Sequence, residues 1–104
     1  YEIRWCRLDP AEGSEMAKTR PVVIVSREVL NEKLATLTVC PITSQRHPGW
    51  RTRVPVNCAG RPCEIAVDHI RSVNKSRLGS KIGGLSEVEA EMLRQTIAEM
   101  YAEV

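Results

Sequence analysis

The sequence predicts a small α+β domain, mainly β: a mostly antiparallel barrel of five or six short strands with a C-terminal amphipathic helix. Two observations support this. Short strand-like segments separated by polar loops fill most of the chain, and the hydrophobic spacing changes from alternating to helical after residue 85. Because 104 residues can build one core of this kind but not two, we treat residues 1–104 as a single domain.

The first half of the chain predicts three strands and one helical turn. Residues 2–8 alternate between apolar and charged side chains, as in a half-buried strand. Residues 9–19 are polar and include Pro10 and Gly13, which indicates a long loop. Residues 21–26 form a largely β-branched run and predict a strand buried on both faces. A helical turn at 27–33 and a strand at 36–42 follow.

The second half predicts up to three further strands. After a loop at 45–50, residues 51–56 alternate cleanly, and Pro55 favours an edge position for this strand. Residues 59–62 indicate a turn. A strand is expected to start at 64–67 and to continue toward residue 73, and residues 80–83 predict a last short strand.

The chain is expected to end in an amphipathic helix. Ser86 and Glu89 have the spacing of a capping box, and Leu85 precedes the N-cap. Apolar residues then follow at helical spacing with charges between them: Met92, Leu93, Ile97, Met100, Tyr101 and Val104. We expect this face to cover the core, and a stripe that binds a partner protein is the alternative.

Composition limits the functional classes. The net charge of +2 means that any nucleic-acid role must come from local clustering of basic residues. No apolar run approaches the ~18 residues of a membrane span, and no signal-peptide pattern opens the chain. The four cysteines (6, 40, 58 and 63) lack zinc-like spacing with the histidines. We expect reduced structural thiols in a cytoplasmic protein; a Cys58–Cys63 disulfide or a metal site is the alternative.

Polar residues at two strand ends indicate a site. Arg20 stands where one strand begins, and Pro21 fixes the backbone beside it. Thr43 and Ser44 stand where another strand ends. An arginine held by a strand suits recognition of a phosphate or carboxylate. On these grounds alone Arg20 could equally form a surface ion pair with Glu15, and the two hydroxyl residues could be ordinary turn residues.

The chain resembles the MazF/PemK family of toxin endoribonucleases over nearly its whole length. The matching stretches, in the family's order and spacing, are Glu2-Ile3-Arg4-Trp5, Leu8-Asp9-Pro10, Gly13-Ser14-Glu15, Arg20-Pro21-Val22-Val23-Ile24-Val25-Ser26, Pro41-Ile42-Thr43-Ser44, Val67-Asp68-His69-Ile70-Arg71-Ser72-Val73, Lys75-Ser76-Arg77-Leu78 and Ile82-Gly83-Gly84-Leu85-Ser86. One such stretch would be weak evidence, but the ordered set is strong.

The resemblance implies an SH3-like barrel of the CcdB/MazF-like toxin fold that forms a homodimer. It also implies a toxin that cleaves single-stranded RNA, messenger RNA in particular, without a metal or other cofactor and is inhibited by a cognate antitoxin protein. Arg20 and Thr43 match the catalytic residues of the family. Glu15 matches a glutamate needed for activity, and Ser44 adjoins the threonine, so we expect both to bind substrate.

Three further residues are candidates for RNA contact. Arg53, which shares a strand face with Arg51, could bind RNA phosphates, although a solvated edge charge is the alternative. His69 stands where the family commonly has glutamine, so it could alter base preference, act as a general acid or base, or be structural. Trp50 could stack on a base, or contact a second subunit or the antitoxin.

Two rival functions stay open at this stage. The same fold hosts CcdB-like toxins, which poison DNA gyrase without catalysis of their own. A degenerate family member would retain only RNA or antitoxin binding. Arg20 and Thr43, kept together with Glu15, favour the endoribonuclease over both rivals.

Overall fold

The computed structural model describes residues 1–8 and 18–102, and within these it contains seven strands, two α-helices and two 3-10 turns. The strands are β1 (Glu2–Arg7), β2 (Thr19–Ile24), β3 (Thr36–Thr43), β4 (Arg53–Cys58), β5 (Arg61–Ala66), β6 (Arg71–Asn74) and β7 (Leu78–Gly84). The helices are α1 (Glu28–Asn31) and α2 (Glu87–Tyr101), and the 3-10 turns are Val67–His69 and Lys75–Arg77.

Strand β3 lies at the centre of one curled antiparallel sheet. The strand order is β4-β5-β3-β2-β1-β7, and β6 also pairs with β3. Along its length β3 changes neighbours: its first half pairs with β6, its middle with β2, and its last two residues with β5. A sheet that curls in this way buries its concave face, and the predicted antiparallel barrel with a C-terminal helix is confirmed.

The apolar core has two parts, one on each side of the sheet. Val23, on β2, belongs to the larger cluster with Cys40 and Ile65, whereas its neighbour Val22 belongs to the smaller cluster with Cys6. Successive strand residues point to opposite faces, so β2 is buried on both sides at these two positions. This confirms the prediction made from the β-branched run.

Two predicted boundaries in the second half are wrong. The strand expected to run from 64 toward 73 is interrupted by the 3-10 turn Val67–His69, so β5 and β6 are separate strands. Strand β5 also begins at Arg61, which reduces the expected turn to Ala59 and Gly60. Pro62 is tolerated within β5 because the pairing of β5 with β3 reaches only Glu64, so only β4 flanks the proline.

Helix α2 covers the open side of the sheet. The capping box is present, because Ser86 Oγ accepts a hydrogen bond from the Glu89 backbone N–H and the Glu89 side chain accepts one from Ser86 N–H. Leu93 is fully buried in the larger cluster, and Tyr101 Oη donates to the Val67 carbonyl at 2.9 Å. Ile97 and Met100 also pack against this cluster, which confirms the predicted core-covering role for these positions. Met92 and Tyr101 of the predicted face are largely exposed, and Val104 lies outside the described residues. Within the described residues, no helix has the length and apolar character needed to cross a bilayer.

Candidate functional site

A cavity of about 280 Å³ opens at the ends of β2 and β3. Arg20, half-buried on β2, and Ser44, exposed just after β3, both line it. The structure therefore brings together two of the residues that the sequence nominates, with Trp5, Arg61 and other residues completing the wall.

The electrostatics of this cavity favour an anion. The described residues that line it include two arginines, Arg20 and Arg61, and no aspartate or glutamate. Like charges that share a low-dielectric concave wall attract a counter-ion, and guanidinium groups suit phosphate because they donate two parallel hydrogen bonds. The arrangement can hold a phosphodiester against both arginines.

Thr43 is not among the residues that line this cavity, although Ile42 and Ser44 on either side of it are. It is the last residue of β3 and is 4% exposed, and its Oγ1 accepts a hydrogen bond from the Gln45 backbone N–H at 3.1 Å. The pairing between β2 and β3 ends at Val22 and Pro41. If the same register were extended by two more residue pairs, Arg20 would lie opposite Thr43. The Thr43 hydroxyl still has its own proton to donate, because the observed bond uses only a lone pair.

The structure places Arg53 away from Arg20. Its side chain is 5% exposed, its Nε donates to Asp68 Oδ1 at 3.0 Å, and its Nη1 lies 3.6 Å from Glu64 Oε1. The guanidinium also lies over the Trp50 ring, 5.1 Å from its centroid. Arg53 lines a second cavity, of about 540 Å³, and not the one that Arg20 lines, so contact with RNA beside Arg20 stays a prediction.

His69 is not among the described residues that line the cavity. It ends the first 3-10 turn, and its Nε2 lies 3.5 Å from Asp68 Oδ2. This turn follows β5, of which Arg61 and Cys63 line the cavity. A contact between His69 and an RNA held by Arg20 therefore stays a prediction. Glu15, the remaining candidate, falls outside the described residues.

The sequence reading missed Trp5 and Arg61. The turn predicted at 59–62 includes Arg61, but Ala59 and Gly60 both adopt positive φ (53° and 75°) and close a two-residue hairpin that makes Arg61 the first strand residue. The dipeptide Ala-Gly is a weaker hairpin signal than the usual Asn-Gly, so the sequence does not predict this tight turn. The alternation over residues 2–8 predicts a strand at Trp5 but not that Trp5 lines the cavity.

The four cysteines are free and buried. Burial, with a smaller contribution from the Asp68 charge, raises the pKa of the Cys40 thiol from 9.0 to about 12. Burial also raises the pKa of Cys58, and the neighbouring Cys63 acts in the same direction. The thiols of Cys40 and Cys58 are therefore protonated at neutral pH. The part of the chain that the structure describes has no group of three His, Cys, Asp or Glu side chains placed to hold a metal ion.

Comparison with known proteins adds three findings. A family described as PemK-like, MazF-like toxin of type II toxin-antitoxin system matches residues 1–101. The chain is 32% identical to the endoribonuclease MazF3 of Mycobacterium tuberculosis, over 88% of this chain and 91% of the relative. It is 27% identical to the endoribonuclease toxin MazF of Escherichia coli, over 92% and 86% of the two chains.

The chain also superposes on solved structures of MazF toxins. The Mycobacterium tuberculosis toxin MazF-mt6 superposes with a TM-score of 0.82 at 31% identity, covering 97% of this chain and 96% of that one. MazF from Deinococcus radiodurans superposes with a TM-score of 0.84 at 22% identity, covering 98% and 94%, and shows likeness of fold. The fold class and the resemblance predicted from the sequence are both confirmed.

Proposed function

We propose a function for this chain from one premise: it belongs to the family of PemK-like, MazF-like toxins of type II toxin-antitoxin systems. It is an endoribonuclease that cleaves single-stranded RNA, messenger RNA included, without a metal ion. The observation that carries the proposal is the position of Arg20, half-buried in a cavity shared with Ser44 and Arg61.

The reaction uses the RNA's own 2′-hydroxyl as the nucleophile. That oxygen loses its proton and bonds to the adjacent phosphorus, the bond from phosphorus to the 5′-oxygen breaks, and the leaving 5′-oxygen takes up a proton. The products are a 2′,3′-cyclic phosphate and a 5′-hydroxyl. Because negative charge accumulates on the phosphoryl oxygens in the transition state, a fixed donor aimed at them lowers the barrier.

Arg20 supplies that fixed positive charge. A guanidinium does not deprotonate in proteins, so its role is electrostatic and positional instead of proton transfer. The β2 backbone and Pro21 hold it in place, and its pairing with Cys6 ties it to the neighbouring strand β1. Ser44 lines the same cavity, and we assign Thr43, the residue before it, as a second hydroxyl donor. Glu15 is the acidic residue that we assign to substrate binding.

The proposed partners follow from the family and from the charge of the cavity. A cavity with two arginines and no acid among its described residues is complementary to RNA phosphates and to an acidic antitoxin segment. We expect a homodimer that a cognate antitoxin inhibits. A toxin that acts on messenger RNA meets its substrate in the cytoplasm, where the four free thiols would stay reduced.

The test is cleavage of a long single-stranded RNA by the purified protein in excess EDTA. We expect discrete fragments with 5′-hydroxyl ends, and Arg20→Ala should lower the rate by about 10²–10³-fold without loss of folding. Arg27→Ala is the matched control, since Arg27 is exposed and lies beyond the other end of β2. A folded wild type that leaves RNA intact but inhibits gyrase supercoiling would replace the proposal with the CcdB-like function.

A further inference from the structure

We propose that Trp5 and Arg61 form a binding subsite for the nucleotide next to the scissile phosphate. The indole stacks on the base of that nucleotide, and the guanidinium binds its phosphate. This inference rests on the proposed function and adds to it residues that the sequence reading did not nominate.

Trp5 is an exposed aromatic on a rigid support. It lies on β1, which has β2 on one side and β7 on the other, and it pairs with Pro21, the residue after Arg20. A Cβ placed on Gly79 of β7 would come within 3.2 Å of the Trp5 Cβ, so the backbones are closely packed there. The residue is nevertheless 42% exposed and lines the cavity. A fixed, exposed indole beside arginines suits stacking on single-stranded RNA bases.

Arg61 lies on the opposite wall of the same cavity. It is the first residue of β5, paired with Cys58 across the two-residue turn, so its backbone position is defined. The side chain is exposed, and it makes no hydrogen bond or ion pair with any other residue that the structure describes. An exposed guanidinium that lines the same cavity as Arg20 suits a phosphate next to the one that Arg20 holds.

The other tryptophan does not offer a comparable platform. The Trp50 ring is stacked on His47 with the ring centroids 3.9 Å apart, and the Arg53 guanidinium lies over it. Its ring therefore already contacts side chains of this chain. Trp5 has no such ring or cation contact among the described residues. Between the two tryptophans, the structure favours Trp5 as the surface for a base, with Ile82 extending the apolar floor of the cavity.

Trp5 fluorescence tests the stacking directly. The chain contains two tryptophans, so a Trp50→Phe variant reports Trp5 alone. The probe is a single-stranded RNA with a 2′-O-methyl group at the cleaved nucleotide, which blocks the attacking hydroxyl. We expect this RNA to quench Trp5 emission on binding. In the otherwise wild-type protein, Trp5→Leu should weaken binding of the same RNA by about 5- to 150-fold, the range found for loss of one stacked base.

Arg61 is tested by the salt dependence of binding. Each phosphate contact to a single strand contributes about 0.7 to the slope of log affinity against log salt concentration. Arg61→Gln should therefore reduce that slope by about 0.7 and raise KM while changing kcat little. Arg27→Gln is the matched control: it removes the same charge from the far end of β2 and should leave the slope unchanged.

The outcomes separate this inference from the proposed function. If the wild type cleaves RNA but Trp5 is not quenched and Arg61→Gln keeps the wild-type slope, the subsite is overturned and the endoribonuclease stands. Quenching of Trp5 by an acidic peptide but not by RNA would also overturn it, in favour of a contact with a partner protein. A folded wild type that neither binds nor cleaves RNA overturns both proposals.

Discussion

Arg53 Nε donates to Asp68 Oδ1 at 3.0 Å, which joins strand β4 to the 3-10 turn that follows β5. The Arg53 side chain is 5% exposed, and its Nη1 also lies 3.6 Å from Glu64 Oε1, which belongs to a side chain that is 7% exposed. Glu64 in turn accepts a hydrogen bond from the His47 backbone N–H at 2.9 Å. One buried guanidinium thus holds together a strand, a turn and a loop.

Loss of this guanidinium should destabilise the fold. Arg53→Ala would leave Glu64 buried without its cation, and breaking a buried ion pair costs about 3–5 kcal/mol. We expect a loss of at least about 3 kcal/mol in the free energy of unfolding, measured by urea denaturation. Arg51→Ala, an exposed arginine two residues away, should change stability by less than about 0.5 kcal/mol. Normal stability with weakened RNA binding would instead support the substrate contact predicted from sequence.

The turn between β4 and β5 contains removable strain. Ala59 has φ 53°, a conformation that costs a residue with a Cβ about 1–2 kcal/mol. Ala59→Gly removes that cost but increases the entropy of the unfolded chain by about 0.5–1 kcal/mol. We therefore expect a net gain of roughly 0.5–1 kcal/mol, seen as a higher melting temperature. Ala59→Val should do the reverse; a variant series without this order would contradict the turn geometry.

Alkaline pH should destabilise the protein through Cys40. The pKa of the Cys40 thiol is about 12 in the folded chain and 9.0 without the burial. At a pH between these two values, the thiol loses its proton in the unfolded chain but keeps it in the folded chain. The stabilising effect is complete below pH 9 and falls as pH rises, by about 1.4 kcal/mol per pH unit. The free energy of unfolding, followed from pH 8 to 11, should fall less steeply in Cys40→Ala. Equal slopes in the two proteins would refute the assignment.

The capping box should contribute measurably to α2. Ser86→Ala removes the hydroxyl that accepts from Glu89 N–H at 3.1 Å, and loss of such an N-cap costs about 1 kcal/mol. Ser86→Asp retains an acceptor and should keep most of the stability. Val88 is exposed, lies two residues after Ser86 and makes no capping hydrogen bond, so Val88→Ala serves as the control for helix propensity. Thermal unfolding followed by circular dichroism measures all three.

Most of the fold could be predicted because local signals agreed with tertiary packing. The β-branched run around Val22 and Val23, the edge proline Pro55 and the capping box at Ser86 each have one dominant physical meaning. The break between β5 and β6 could not be predicted. It depends on Arg53 holding Asp68 in a 3-10 turn, a contact between residues fifteen positions apart that leaves no local pattern.

The candidate site was predictable in part. Arg20 and Ser44 stood out because each adjoins a strand end and matches a family motif. Arg53 also stood out, but alternation along a strand gives only the face of a residue, not whether acids on neighbouring elements bury it. Arg61 reaches the cavity only through the curl of the sheet, which brings the β4–β5 hairpin toward β2.

The change of neighbours along β3 has a consequence for folding cooperativity. Since β3 pairs with β2, β5 and β6 in different stretches, its detachment would separate the β4–β5 hairpin, β6 and the group of β2, β1 and β7 from one another. Local opening should therefore be confined to the peripheral elements, and the amides of Val39 and Cys40 should exchange with solvent only through global unfolding. The protein would lose its tertiary structure in a single step, without a stable intermediate that retains only the part of the barrel carrying Arg20.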